Sequence, residues 1–205
     1  MLSGPSGVGK TTVVQGALQS TDKWIQCVTC TTRTPREHEQ DGRDYYFLNE
    51  AEFMRRVYGG DFLEYAEVYG KHYGTPLSEI DRAQKEGKRL VIVVDTVGCL
   101  SIRALNPEVK LVGLLPPSMA VLRQRLAGRG DETHQEIEQR LAQAYIELTR
   151  MSTFDFTIIN DILDTAVEDL LQLLHLLERG THVTDSRVNR LHLEMRESKE
   201  NENEA

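Results

Sequence analysis

The apolar residues of this chain form short continuous runs and one long amphipathic stretch. Residues 90–95, 109–115 and 156–160 are mostly apolar, which is typical of core strands and above all of strands buried in a parallel sheet. Residues 164–178 instead carry leucines on one face of a helix. These leucines are Leu170, Leu171, Leu173, Leu174 and Leu177. The pattern predicts a core of parallel strands and a closing amphipathic helix.

Mixed patterns between these runs predict shorter elements. Helices are predicted at 11–18, 50–58, 76–86 and 118–126, and a further helix follows a turn with glycines and runs to about Arg150. Strands are predicted at 24–28, 45–47, 61–70 (ending in a turn) and 71–75. Residues 31 to about 78 therefore form a small, tyrosine-rich, mainly β insertion, in which tyrosines more often pack than bind ligands. The tail, residues 183–205, is polar, and we expect it to be disordered.

One stretch near the start of the chain carries recognisable chemistry. Gly4-Pro5-Ser6-Gly7-Val8-Gly9-Lys10-Thr11 matches G-x-x-x-x-G-K-[ST], the phosphate-binding P-loop. Its glycines let backbone N–H groups turn inward around an anion, and the helix that follows adds its positive end. We expect Lys10 to reach the β- and γ-phosphates of a nucleotide and the Thr11 hydroxyl to bind Mg²⁺. A glycine-rich turn before a helix is the plainer alternative.

A second metal ligand is predicted at Asp95, which ends the apolar run 90–95. When a P-loop is present, a carboxylate at the end of a buried strand is the Walker B arrangement that helps to hold Mg²⁺. The metal prediction therefore consists of Thr11 and Asp95.

Arginines gather in two further places. The basic loop 31–36 contains Arg33 and Arg36, whose guanidinium groups suit a phosphate, although an ordinary solvated loop would look similar. A charged helix-turn-helix with glycines at its tip predicts either a mobile lid or a solvated hairpin. Its arginines include Arg125, Arg129 and Arg140.

Composition argues against several classes of protein, among them nucleic-acid-binding and membrane-spanning proteins. A chain of 205 residues suits one domain, and a net charge of −8 argues against a general nucleic-acid surface. No apolar run approaches the roughly 18 residues of a membrane span. Three cysteines are few and odd in number, which favours a reducing cytoplasm. Cys27 and Cys30 form a C-x-x-C in a predicted strand without a second pair of zinc ligands, so we expect no function there.

Taken in order, the motifs resemble those of guanylate kinase, the family that moves phosphate from ATP to GMP. The blocks that carry the resemblance are Ser3–Thr12, Thr31–Arg36, Asp41–Tyr45, Phe62–Glu64, Tyr73–Thr75, Pro116–Ser118, Arg125–Gly130 and Ile158–Asp161. The resemblance implies a single α/β domain at 1–182 with a three-layer parallel-sheet core. The implied parts are a core (1–30, 79–118 and 141–182), a GMP-binding insertion (31–78) and a helical lid (119–140).

The resemblance also implies partners and roles. The partners are ATP with Mg²⁺, and GMP or dGMP, with no nucleic acid and no membrane. The residues implied for ATP are Gly4, Pro5, Ser6, Gly7, Val8, Gly9, Lys10, Thr11 and Thr12, with Asn160 near adenine and Arg125, Arg129 and Arg140 closing over the phosphates. Those implied for GMP are Arg33, Arg36, Tyr45 and Tyr73 at its phosphate, and Glu64, Thr29 and Thr75 at guanine. Lys10 and the five arginines are the predicted catalytic residues.

The chemistry of the residues agrees with these roles. Guanine presents N1–H and N2–H₂ donors on one edge, for which the Glu64 carboxylate is a suitable acceptor, whereas adenine would leave it unpaired. The accepting phosphate is already an anion at pH 7, so the reaction needs no general base. Catalysis is then alignment and charge neutralisation by Lys10, the arginines and Mg²⁺, and lid closure would exclude water.

Two positions depart from the family pattern D-I-D-x-Q-G. Val93 stands where the family usually has Asp, and Val97 where it has Gln, so one active-site carboxylate is missing. A catalytically impaired, guanylate-kinase-like module that binds proteins remains open for that reason, although the P-loop is intact. Another small-metabolite kinase on the same scaffold is a second alternative, against which Glu64, Thr29 and Thr75 argue. A P-loop GTPase is a further alternative because Asp95–Gly98 fits D-x-x-G, but the N-K-x-D motif that GTPases need is absent.

The start of the chain carries one more expectation. Only three residues precede Gly4, whereas a typical strand before a P-loop needs about five. We expect the native protein to begin upstream of Met1.

Overall fold

The computed structural model describes residues 1–68, 70–128 and 133–179. Within them the strands are β1 (Leu2–Ser3), β2 (Trp24–Gln26), β3 (Cys30–Thr31), β4 (Tyr46–Phe47), β5 (Phe62–Val68), β6 (Lys71–Pro76), β7 (Arg89–Val91), β8 (Val112–Leu115) and β9 (Phe156–Ile159). The helices are α1 (Lys10–Leu18), α2 (Glu50–Gly59), α3 (Ser78–Lys85), α4 (Thr96–Leu105), α5 (Met119–Ala127), α6 (His134–Arg150) and α7 (Leu163–Glu178).

The chain divides into two compact units. The first unit contains Met1 and Thr21–Val109, and the second contains Leu2–Ser20 and the chain from Lys110 onward. The predicted insertion, 31–78, falls within the first unit, and the described part of the predicted lid, 119–140, falls within the second. The predicted tail lies outside the described residues.

The second unit is built on a parallel sheet in the order β1-β8-β9. Helices α1 and α7 pack against each other. A Cβ at Gly16 would lie 2.7 Å from Val167 Cγ2, so glycine permits this close approach. On α7, Leu170, Leu173 and Leu174 are buried as the leucine pattern predicts, and the other two leucines of that pattern are half-buried.

The first unit holds two sheets. Strands β2 and β7 form a parallel pair, and β4-β3-β6-β5 form a mixed sheet in which β6 runs antiparallel to both of its neighbours. Helix α2 buries Phe53 completely, and its ring stacks on Phe62 with centroids 4.8 Å apart. The predicted mainly β character of residues 31–78 agrees with this sheet.

Three predicted elements need correction. The strand predicted at 90–95 ends at Val91, and Asp95 instead caps α4, a helix that the sequence analysis did not predict. Strand β8 begins at Val112 rather than at Val109. Pro76 belongs to β6, where it pairs with Phe62, and helix α3 begins only at Ser78. A proline is tolerated there because it ends its strand.

No helix among the described residues is long and apolar enough to cross a bilayer.

Candidate active site

The P-loop links β1 to α1 in the second unit. Gly7 and Gly9 adopt φ angles of 84° and 98°, in the left-handed region that favours glycine. A Cβ at Gly4 would lie 2.4 Å from the Leu114 carbonyl oxygen, so only glycine fits beside β8. Lys10 Nζ donates to the carbonyl oxygens of Gly4 and of Pro5, the latter at 3.1 Å. The loop therefore has the curled backbone that an anion nest requires.

Asn160, at the end of β9, contacts the P-loop through its side chain. Its side chain is buried, with the residue 6% exposed, and Nδ2 donates to the Val8 carbonyl oxygen at 2.8 Å. A Cβ at Gly9 would lie 2.5 Å from the same Nδ2. Asn160 thus braces the loop, which is a contact that the sequence analysis did not foresee. Its predicted place near adenine stays a prediction.

Two of the predicted lid arginines contact residues that are predicted to bind ATP. Arg125 Nη2 donates to the Asn160 carbonyl oxygen at 2.9 Å, and Arg140 Nη1 donates to Ser6 Oγ at 2.9 Å. Helices α5 and α6 are also joined by a two-bond ion pair between Arg123 and Glu138. Arg129 lies outside the described residues. The hydroxyl-bearing residues Thr11 and Thr12 are exposed in the first turn of α1.

The predicted phosphate-binding residues of the first unit form a cluster. Arg33 donates two 2.8 Å bonds to the Glu39 carboxylate, and its guanidinium lies 5.1 Å from the centre of the Tyr45 ring. The Tyr45 and Tyr73 rings meet edge to face at 6.3 Å. Arg36 is exposed. The structure therefore brings together Arg33, Tyr45 and Tyr73.

Glu39 is a member of this cluster that the sequence analysis missed. Besides holding Arg33, its carboxylate accepts from the Arg36 backbone N–H at 2.8 Å. The hydrogen bonds with Glu39 raise the pKa of Arg33, and the same bonds lower the pKa of Glu39. A carboxylate three residues after Arg36 was the signal available in the sequence.

The predicted guanine-binding residues lie in one row across the mixed sheet. Glu64 on β5 pairs with Thr75 on β6, and Thr75 Oγ1 donates to Glu64 Oε1 at 2.6 Å. Cys30 pairs with Gly74 in the antiparallel β3–β6 ladder, so extending the register by one residue places Thr29 opposite Thr75. Both threonines are buried. Burial raises the pKa of Glu64, the bond from Thr75 lowers it, and the charge of Asp95 raises it again.

Asp95 has a structural role at the start of α4. Its Oδ1 accepts from the Gly98 backbone N–H at 2.7 Å and caps the helix. A Cβ at Gly98 would lie 3.0 Å from Glu64 Oε2, so this helix end lies next to the row that is predicted to bind guanine. Val93 is half-buried, and Val97 is 46% exposed on the first turn of α4. The predicted role of Asp95 at a metal stays a prediction.

The cysteines are buried free thiols. Burial raises the pKa of Cys30 to about 11 and that of Cys27 higher still, so both thiols stay protonated and unreactive at neutral pH. Among the described residues, no three His, Cys, Asp or Glu side chains are grouped so as to hold a metal ion.

Comparisons with known proteins all indicate one family. The sequence model of the family "Guanylate kinase" matches residues 1–177. A guanylate kinase of Clostridium perfringens (strain SM101 / Type A) is 39% identical over 98% of this chain and 90% of its own length. One from Thermotoga maritima is 36% identical over 96% of this chain and 95% of its own. The crystal structure of guanylate kinase from Anaplasma phagocytophilum has a TM-score of 0.73 at 28% identity, covering 93% of this chain and 90% of that one.

Proposed function

The chain belongs to the guanylate kinase family, whose sequence model covers residues 1–177, and we propose that it transfers the terminal phosphoryl group of ATP to GMP, and to dGMP, giving ADP and GDP or dGDP. The family membership and the α/β fold agree with the expectation drawn from the P-loop and the loop 31–36. The proposed setting is the cytoplasm, which would keep the three buried cysteines reduced.

The observation that carries this proposal is the row of Glu64, Thr75 and Thr29, in which both threonines are buried and Glu64 is half-buried. A carboxylate with one oxygen already bound by Thr75 offers its remaining acceptor capacity to the paired N1–H and N2–H₂ donors of guanine. Adenine has no such donors, and beneath it the half-buried carboxylate would be cut off from water with its second oxygen unpaired, which is costly. The row therefore favours a guanine nucleotide.

The phosphoryl transfer follows from positioning and charge. In this proposal Lys10 and the P-loop N–H groups hold the β- and γ-phosphates, and Arg33, Arg36, Tyr45 and Tyr73 hold the phosphate of GMP. The lid arginines Arg125, Arg129 and Arg140 would neutralise the charge of the transferring group. Glu39 supports the site by holding Arg33 in a fixed orientation through two bonds. No side chain has to remove a proton, because the accepting phosphate oxygen is already anionic.

Mg²⁺ fits this site when it binds together with ATP, and not as an ion held by protein ligands alone. The described residues contain no group of three metal-ligating side chains, and Mg²⁺ commonly takes one or two protein ligands together with phosphate oxygens and water. Thr11 is exposed in the first turn of α1 and would supply the P-loop ligand. When bound, the ion neutralises phosphate charge. Asp95 is the proposed carboxylate ligand.

The test is an assay of ADP release with ATP and each of GMP, dGMP, AMP, UMP and CMP. We expect turnover with GMP and dGMP and a much lower kcat/KM with AMP and the pyrimidine nucleotides. Binding of GMP without turnover at any Mg²⁺ concentration would instead indicate the catalytically impaired module. Preferential turnover of another acceptor would indicate a different small-metabolite kinase.

A further inference from the structure

Glu79, in the first turn of α3, is a buried carboxylate to which the family comparison and the motifs assign nothing. The residue is 1% exposed. Its Oε2 accepts from the Val28 backbone N–H at 2.8 Å and from Arg82 Nη2 at 2.8 Å. Its Oε1 accepts from the Tyr46 hydroxyl at 3.1 Å and from Arg82 Nε at 3.1 Å. This buried carboxylate accepts four hydrogen bonds from three residues, and it thereby ties α3 to β4 and to the segment between β2 and β3.

Two of the residues that donate to Glu79, Val28 and Tyr46, are direct neighbours of Thr29. Val28 immediately precedes Thr29 in the chain, and the Tyr46 backbone N–H donates to the Thr29 carbonyl oxygen at 2.9 Å. Glu79 therefore restrains the main chain of Thr29 from two directions. Arg82 extends the same restraint to the end of β2, because its Nη2 also donates to the Gln26 carbonyl oxygen at 3.0 Å.

The position of Glu79 in the chain connects Thr29 to the other guanine-binding threonine. Helix α3 follows β6 after a single residue, Leu77, and β6 carries Thr75. Thr75 in turn holds Glu64. The carboxylate of Glu79 thus ties the segment that presents Thr29 to the segment that presents Thr75.

We propose that Glu79 is a positioning residue for guanine recognition, which fixes Thr29 relative to Thr75 and Glu64 through Val28 and Tyr46. This inference rests on the proposed function and goes beyond it, since Glu79 belongs to none of the groups assigned to the nucleotides. A buried ion pair contributes little net stability compared with apolar packing, so its value here lies in the directions of its hydrogen bonds. Small displacements of a substrate-binding group have large kinetic effects.

The energetics of the site are consistent with an ionised Glu79. Burial alone would raise the pKa of its carboxyl group, but the bonds from Arg82, the Val28 N–H and Tyr46 outweigh that effect and hold the pKa below its usual value. The carboxylate is therefore charged at neutral pH, and its amide isostere cannot replace it without presenting N–H₂ to one of these donors.

The first experiment compares Glu79→Gln with the matched control Glu86→Gln. Glu86 also bonds Arg82, at 3.4 Å, but lies on the exposed side of the pair. We expect Glu79→Gln to raise the KM and the calorimetric Kd for GMP about tenfold and to lower the GMP/AMP ratio of kcat/KM. The KM for ATP and the kcat at saturating GMP should change less than about twofold. The control should match the wild type in all five values.

The second experiment asks whether Glu79 acts through Thr29. In a background of Thr29→Val, which removes the hydroxyl at nearly constant shape, Glu79→Gln should raise the KM for GMP by less than about twofold. An equal rise in both backgrounds, or an equal loss of ATP binding, would overturn the inference and leave only a structural role. An unchanged KM and Kd for GMP in folded Glu79→Gln would overturn it as well.

Two controls keep the outcome interpretable. If Glu79→Gln does not fold, Tyr46→Phe removes a single donor of the network, and the inference then requires it to raise the KM for GMP about threefold. The wild type separates this inference from the proposed function. A wild-type protein that neither binds nor phosphorylates GMP overturns both, whereas an active wild type with insensitive variants overturns the role of Glu79 alone.

Discussion

Glu64 is a residue whose surroundings oppose the charge that its proposed role requires. Burial and the charge of Asp95 raise the pKa of its carboxyl group, and only the bonds from Thr75 act in the other direction. In the folded protein the group therefore releases its proton less readily than in the unfolded chain. Its ionised form lowers the free energy of unfolding at pH values above the usual carboxyl range.

The substitution Glu64→Gln should separate stability from specificity. The amide keeps an acceptor for Thr75 but loses the charge, so we expect the melting temperature at pH 7 to stay equal or rise. Discrimination between GMP and AMP should fall by about 1–3 kcal/mol, the cost of an unpaired buried group. The measurements are thermal unfolding and the two values of kcat/KM. An unchanged ratio would place the guanine-binding residue elsewhere.

The same group predicts a pH dependence. Guanine requires the ionised carboxylate, so the KM for GMP should rise as the pH falls through the raised pKa of Glu64 and level off above it. The phosphate of GMP itself titrates near pH 6, by about the same rule as phosphorylated side chains. Glu64→Gln supplies the control, because its KM for GMP should vary with pH only through the titration of the GMP phosphate. A wild-type profile identical to that of Glu64→Gln would contradict the prediction.

At the scale of elements, the start of α4 combines a helix cap with a predicted metal ligand. Asp95 Oδ1 caps the helix through the Gly98 N–H, and a carboxylate in this place also favours the helix dipole. The apolar run 90–95 is typical of a strand over its whole length, yet β7 ends at Val91. Because Asp95 caps α4, the helix begins directly after the apolar run.

A pair of variants can separate these two roles of Asp95. Asp95→Asn keeps a capping oxygen and should lower the free energy of unfolding only slightly, whereas Asp95→Ala should lose about 1 kcal/mol. Both should raise the Mg²⁺ concentration needed for half-maximal activity if the carboxylate helps to hold the ion. Denaturant unfolding and Mg²⁺ titrations measure the two effects. A normal Mg²⁺ requirement in Asp95→Asn would leave the residue with the cap alone.

At the scale of the whole molecule, the residues predicted for the two nucleotides fall in different compact units. The P-loop and the described lid arginines belong to the second unit, and Arg33, Arg36 and Glu64 belong to the first. The net charge of the chain is −8, so attraction for two phosphorylated substrates must come from cations placed locally. In the proposed function each unit supplies such cations for one nucleotide.

This division predicts different defects for Lys10→Ala and Arg36→Ala. Both should lose turnover by orders of magnitude, since each removes charge neutralisation from the transition state. Lys10→Ala should retain GMP binding close to that of the wild type, whereas Arg36→Ala should weaken it and retain ATP binding. Single-turnover kinetics and calorimetry with each nucleotide measure this. Wild-type turnover in either variant would remove that residue from the mechanism.

The sequence by itself determined the features that depend on neighbouring residues. The P-loop, the loop 31–36 and the leucine face of α7 are local patterns, and the structure buries Leu170, Leu173 and Leu174 on that face as predicted. Local spacing is sufficient in these cases because a turn, a cap or a helix face is formed within a few residues. The same patterns, in order, also indicated the family.

The tertiary structure decided how distant residues meet, including the three that the family resemblance had grouped at guanine. Glu64, Thr75 and Thr29 share a row only because β5, β6 and β3 pair in that register. Asn160 braces Val8 across 152 residues of chain, and Glu79 reaches Val28 across 51. Such contacts depend on strand pairing and on the need of buried polar groups for partners, and neither leaves a mark in the spacing of the sequence.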